Sequence, residues 1–322
     1  MSGKIIKLTP RRKPKVKICI PYYESLCPQI VELGEQLITG GIPGYDAALW
    51  RKEGTIIQFL RNQAIDDTPE LDWDFLFFID DDIGFPIEDF RKTTIVWYDG
   101  KQYEIYYMVA LIKQILDHNL NICGGYYTAR VNPYLPLVYK RLDPNLLEGP
   151  WIEIYKPPDK GVVEVDAIAT GFLCIKRNVF EAFEQRRQKT IKIRDEFEKW
   201  KAENLDKIPP EVQKYLSVCK PEINSPFWID SIYDPTNQKW VDVGEDIYFC
   251  REAQKLGFKI YCDFSVGLGH LTHKYQTPEA YKHAFMADQV NTHLQWAKEQ
   301  GRVSPIQEFI DSDDPKEVRY GG

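Results

Sequence analysis

The sequence predicts an α/β fold: a central, mostly parallel sheet flanked by helices. Three observations carry the prediction. From Val16 to Ile79, strand-length apolar runs alternate with segments of helical periodicity, the pattern of parallel strands joined by crossover helices. The run Phe75 to Ile79 is continuously apolar and aromatic, as befits a strand covered on both faces. It stops at Asp80-Asp81-Asp82, and open α/β sheets bind ligands just beyond the carboxyl ends of their strands.

Taken in order, Val16 to Tyr22 is an apolar strand ended near Pro21. Pro28 to Thr39 has helical spacing at Ile30, Leu33, Leu37 and Ile38, and the glycines and proline of 40–44 break it. A short strand is expected at Asp46 to Trp50 and an amphipathic helix at Gly54 to Ile65. After the Phe75 strand, Thr93 to Tyr107 reads as a β-hairpin turning at Asp99-Gly100. Met108 to His118 is a helix and Asn121 to Gly124 a short strand. Leu137 to Arg141, Trp151 to Tyr155 and Val162 to Val165 are strand candidates, and Ala167 to Ile175 reads as one strand containing Thr170-Gly171. Asn178, with Glu181 three residues on, suggests a capping box for a charged helix running to about Asn204 and ended by Pro209-Pro210. Phe227 to Tyr233 is a strand candidate. Glu245 to Leu256 is a helix closed by Gly257. Lys259 to Cys262 is a strand followed by a loop bearing His270, and Pro278 to Gln300 is a terminal helix before an acidic tail.

Length and composition set bounds. The chain has 322 residues, 43% of them hydrophobic, enough for a sizeable core. No run approaches the roughly 18 apolar residues of a membrane span. The start Met1-Ser2-Gly3-Lys4 lacks the apolar core of a secretory signal. Seven cysteines without a CxxC or zinc spacing read as buried, reduced thiols (Cys19, Cys123, Cys174, Cys262), which places the chain in a cytoplasm. A net charge of −7 disfavours a broad nucleic-acid-binding face. Two stretches run against it. Lys4 to Lys17 is basic without an acid, either a solvated tail or an arm for phosphates. Arg186 to Arg194 reads as a helix face balanced by Asp195, Glu196 and Glu198.

Three constellations can carry chemistry. Asp80-Asp81-Asp82 at a strand end cannot all ionise comfortably without a counter-charge. A hard divalent cation supplies one and brings phosphate oxygens with it; the alternative is an acidic turn facing water or a helix cap. Glu245-Asp246 opens a helix, where acids also simply complement the dipole. His270 follows Gly267-Leu268-Gly269, where a lone histidine is also an ordinary surface residue. Together they can form an oxygen-rich metal site beside a carboxylate that acts as a base.

In this order the motifs resemble metal-dependent GT-A glycosyltransferases, in particular family-2-like enzymes of bacteria and their viruses. The resemblance spans Val16 to His273. It rests on the Ile20-Pro21-Tyr22-Tyr23-Glu24-Ser25 strand end, the helix carrying Arg61-Asn62, and Phe77 to Asp82 as a DxD motif. Cys123 to Arg130, Ala169 to Arg177 and Gly244 to Arg251 complete it. The hairpin and the charged excursion exceed the minimal fold.

The resemblance implies a Rossmann-like catalytic domain over 16–275, with a donor half to about residue 130 and an acceptor half beyond it. A basic tail (1–15), a helical excursion (178–210) and a C-terminal helix and tail (276–322) flank or interrupt it. It implies a nucleotide-sugar donor, with UDP first, held by Pro21, Tyr22, Tyr23, Glu24, Arg61, Asp80, Asp81, Asp82 and Arg130. Mn²⁺ or Mg²⁺ sits on Asp82 and His270, with Asp80 on the metal or the ribose. Asp246 is the base, Glu245 binds acceptor, and Gly171, Trp228 and Tyr126 lie on the acceptor side. The acceptor is a glycan, a protein or a hydroxymethylated DNA base, in the cytoplasm of a bacterium or an infected host cell. Aromatic residues such as Tyr127 and Trp240 are expected to fill core or stack on base or sugar. A sugar-nucleotide nucleotidyltransferase and a non-catalytic carbohydrate-binding protein are the competing readings.

Overall fold

A computed structural model describes residues 12–23, 26–54, 56–67, 73–86, 91–129, 135–141, 151–153, 158–204, 226–227, 230–234 and 239–270. Strand β1 (Lys15–Tyr22) leads through helix α1 (Pro28–Gly40) to β2 (Asp46–Glu53), and through α2 (Ile57–Asp66) to β3 (Phe75–Ile79). β1 pairs in parallel with both, so the first two crossovers build a parallel sheet as the alternating pattern requires. The short β4 (Ile83–Gly84) follows the acidic triplet. β5 (Thr93–Tyr98) and β6 (Lys101–Tyr106) form the expected hairpin. Asp99 and Gly100 take φ of 49° and 72°, the left-handed pair that a two-residue turn needs.

Helix α3 (Tyr107–Asp117) and β7 (Ile122–Tyr127) come next, then β8 (Val138–Arg141), β9 (Trp151–Glu153), β10 (Val162–Val165), β11 (Ala167–Ile168) and β12 (Phe172–Lys176). Helix α4 (Arg177–Asn204), the hairpin β13 (Asp230–Asp234) and β14 (Lys239–Val243), helix α5 (Glu245–Lys255) and β15 (Ile260–His270) complete the described elements. The main sheet runs β10-β15-β7-β12-β3-β1-β2, with β4 on β15. β12 is antiparallel to both neighbours, so β1, β2, β3, β7 and β15 share one direction while β12 and β10 oppose it.

The sheet divides two cores. One face packs Ile18, Phe77 and Tyr127 against α1 and α3, through Leu33, Met108 and Ile112. The other packs Cys19, Leu76 and Phe78 against α2, α4 and α5, through Ala64, Phe180 and Phe249. Phe77 and Phe78 point opposite ways, as strand alternation demands. Cys19, Cys123, Cys174 and Cys262 are buried and free of disulfides, and burial pushes each thiol up from its ordinary value. Among the described residues, no helix is long and apolar enough to cross a membrane.

The structure corrects several boundaries. Ala167 to Ile175 is two strands. β11 pairs with β8 and β12 joins the main sheet, the chain turning at Thr170-Gly171. The strand expected at Phe227 begins at Asp230, and β14 was not anticipated. β15 extends through Gly267 and Gly269 to His270, so this histidine ends a strand instead of sitting in a loop. Asn178 does not cap α4. The helix begins at Arg177, Asn178 Nδ2 donates to Asn121 Oδ1, and Glu181 pairs with Arg177. The basic residues before Arg12, Pro209-Pro210 and the terminal helix of 278–300 lie outside the described residues.

Candidate active site

The common direction of five strands gathers their carboxyl ends on one rim. β12, running the other way, brings its beginning to the same rim: Phe172 pairs with Ile79, and Asp80 N–H donates to Gly171 O at 2.9 Å. Acids following β3 therefore meet the Thr170-Gly171 turn. β4 doubles back along the end of β15, pairing Ile83 with His270, which brings the histidine to Asp82. Helix α5 delivers Glu245 and Asp246 in its first turn, behind Gly244. Together they line a cleft of about 360 Å³ with Pro21, Tyr22, Tyr23, Gly54, Arg61 and Tyr127. That size suits a small ligand.

Arg61 organises the cleft. It is 1% exposed, on α2, with its guanidinium 5.9 Å from the centre of the buried Phe227 ring. Nη2 donates to both oxygens of Asp80 at 2.9 Å. Nη1 donates to Glu245 at 2.7 Å and to Asp246 at 3.1 Å. One cation thus joins a donor-side acid to both acids of α5, and their attraction holds it charged despite burial. Its neighbour Asn62 clamps Phe227, donating Nδ2 to the Phe227 carbonyl and accepting Phe227 N–H on Oδ1.

The three aspartates have separate partners. Asp80 is bound to Arg61. Asp81 Oδ2 accepts Tyr23 N–H at 3.1 Å and so fixes the end of β1. Asp82 Oδ2 lies 3.5 Å from His270 Nε2. His270 Nδ1 is 2.7 Å from the Thr128 carbonyl, which only accepts, so Nδ1 carries the hydrogen and Nε2 faces the carboxylate. Asp246 also accepts a short hydrogen bond from Thr170 Oγ. Burial raises the Asp246 carboxyl to about 6, against the opposing pull of Arg61. Gly171 leaves no room for a side chain, since a Cβ there would fall 2.4 Å from Tyr127 Oη and 3.0 Å from Asp80 Oδ2.

The structure brings together Pro21, Tyr22, Tyr23, Arg61, Asp80, Asp81, Asp82, Glu245, Asp246 and His270 on one cleft. Arg61, expected on a diphosphate, directs its four Nη hydrogen bonds to carboxylates. Tyr126 packs on Phe264 in the second core, away from the cleft lining. Glu24, Arg130 and Trp228 lie outside the described residues. Thr170, inside the motif from Ala169 to Arg177, was given no role of its own and bonds Asp246, while Tyr127, expected to fill core or to stack on base or sugar, lines the cleft. Among the described residues, no group of three or more His, Cys, Asp or Glu side chains is arranged to hold a metal ion. Asp82 and His270 make a two-donor set. Their oxygen and imidazole nitrogen suit a divalent cation that draws its other positions from phosphate and water.

Neither a protein-family model nor a curated protein matches this chain. Among solved structures, one titled "Crystal Structure of A197 from STIV" resembles it at 15% identity and a TM-score of 0.39, over 80% of this chain and 86% of that one.

Proposed function

We propose that the chain is a glycosyltransferase with a GT-A fold, moving a sugar from a nucleotide-diphosphate donor to an acceptor hydroxyl. The supporting observation is the composition of the cleft. Five carboxylates and a histidine line it, and Arg61, whose two Nη groups are engaged by acids, is the only arginine or lysine among the described lining residues. Added positive charge favours an anionic diphosphate in such a cleft. Asp82 and His270 would hold Mn²⁺ or Mg²⁺ there, and when bound such a cation neutralises charge on the departing diphosphate.

The remaining roles follow from the protein's own groups. Asp81 fixes Tyr23 and the end of β1, which form the donor wall. Asp246 accepts the proton of the acceptor hydroxyl; its raised carboxyl is ionised above about pH 6 and is matched to that task. Thr170 and Arg61 orient it, and Glu245 flanks it in the first turn of α5. The test is release of free sugar from a panel of nucleotide sugars with and without Mn²⁺. Turnover should require the cation and disappear in Asp82→Ala. Full turnover in the presence of a chelator would remove the cation from this reading, and absence of binding to every nucleotide sugar would remove the reading itself.

A further inference from the structure

Tyr127 ends β7 and is 3% exposed, yet its side chain forms part of the cleft wall. Its ring stands edge-on to His270, with centroids 4.9 Å apart and planes at 78°. Its hydroxyl oxygen accepts Gly171 N–H at 2.9 Å. A phenol has one hydrogen to give, and among the described residues this one is given to no protein acceptor. Tyr127 Oη and Asp80 Oδ2 both crowd Gly171, each within 3.0 Å of the position a Cβ would take there.

The surrounding polar groups make that hydrogen distinctive. The carboxylates of Asp80, Glu245 and Asp246 only accept, and every Nη hydrogen bond of Arg61 already goes to them. A phenol of ordinary acidity keeps its proton at working pH, so this hydrogen is there to be given. A ligand group seated here meets the Tyr127 hydroxyl hydrogen beside several acceptors. A hydroxyl satisfies both, its oxygen receiving Tyr127 O–H and its hydrogen going to a carboxylate.

We propose that Tyr127 is a substrate-binding residue whose O–H donates to a hydroxyl oxygen of the donor's sugar, selecting hydroxyl-bearing sugars at the inner end of the cleft. The inference rests on the glycosyl-transfer reading. Its test compares binding of UDP and of UDP-hexoses to the full chain with Mn²⁺, in wild type and Tyr127→Phe. The variant should bind UDP as wild type does and the UDP-sugar about tenfold more weakly. Equal loss on both, or loss on neither, would overturn the inference while leaving the glycosyl-transfer reading in place. Wild type that binds no nucleotide sugar overturns both. Should Tyr127→Phe fail to fold, a series of monodeoxy UDP-sugars on wild type decides. One analogue should bind about tenfold more weakly than the parent, and a series bound as tightly as the parent overturns the contact. With a folded variant, that analogue should lose nothing further on Tyr127→Phe.

Discussion

Helix α4 and the Arg61 cluster are both dense in charge, and they use it in opposite ways. Along α4, Lys192 and Glu196 pair at 3.9 Å with side chains 77% and 67% exposed, and Arg187–Glu184 and Arg194–Asp195 are similarly open. Their partners are one to four residues away, and helix geometry brings together the pairs three and four apart. Arg61 has partners 19, 184 and 185 residues distant, on a loop and on α5. Its side chain is 2% exposed, against 19%, 16% and 27% for Asp80, Glu245 and Asp246. Water screens the first set and contributes most of its solvation. In the second set each charge depends on the others for solvation.

The largest expected effect is therefore at Arg61. Arg61→Met leaves three carboxylates facing one another without their cation, and should cost about 3 kcal/mol in urea unfolding, the lower end for a buried pair because the acids keep some exposure. Arg61→Lys keeps the charge but loses the fork, and should fall between Met and wild type. A Met variant as stable as wild type would put the two regions in one class.

Asp246→Asn comes next. Loss of the base should lower kcat on the order of 10²- to 10³-fold while donor binding persists. Two pH profiles sharpen the point with opposite signs. Transfer by wild type should fall as pH drops through about 6, where Asp246 takes up a proton. Folding stability should move the other way. A raised folded-state value favours the protonated fold, so this contribution is full below the ordinary 3.8 and is lost as pH rises through about 6. Asp246→Asn should remove that dependence, as urea titrations at the two ends of this range would show. The smallest effect belongs to α4, where Lys192→Ala and Glu196→Ala should each stay within about 0.5 kcal/mol of wild type.

The same contrast explains what the sequence disclosed. β1, α1, β3, α3 and the Asp99-Gly100 hairpin were legible because periodicity and turn chemistry are local signals. The charged face of α4 was legible for the same reason. The split between β11 and β12 was hidden in an apolar run broken only by Thr170-Gly171, and the length of β15 was hidden by its glycines. The acids of the cleft were legible as residue types at strand and helix ends. Their division was not: that Asp80 serves Arg61, Asp81 serves Tyr23 and Asp82 faces His270 depends on β12 entering the sheet backwards and on β4 returning along β15.

The reversed β12 also has a consequence for how the protein comes to be made. The cleft draws on residues 61, 80, 127, 171, 246 and 270, so its closure requires contacts across nearly the whole described chain. Such long loops close slowly. On the ribosome, Arg61 and Asp80 emerge well before Glu245 and Asp246, and for that interval the guanidinium has only one of its three acids. The cleft is completed only after α5 and β15 have joined the sheet, so regain of activity on refolding belongs to the slowest phase and not to the first collapse of β1, β2 and β3.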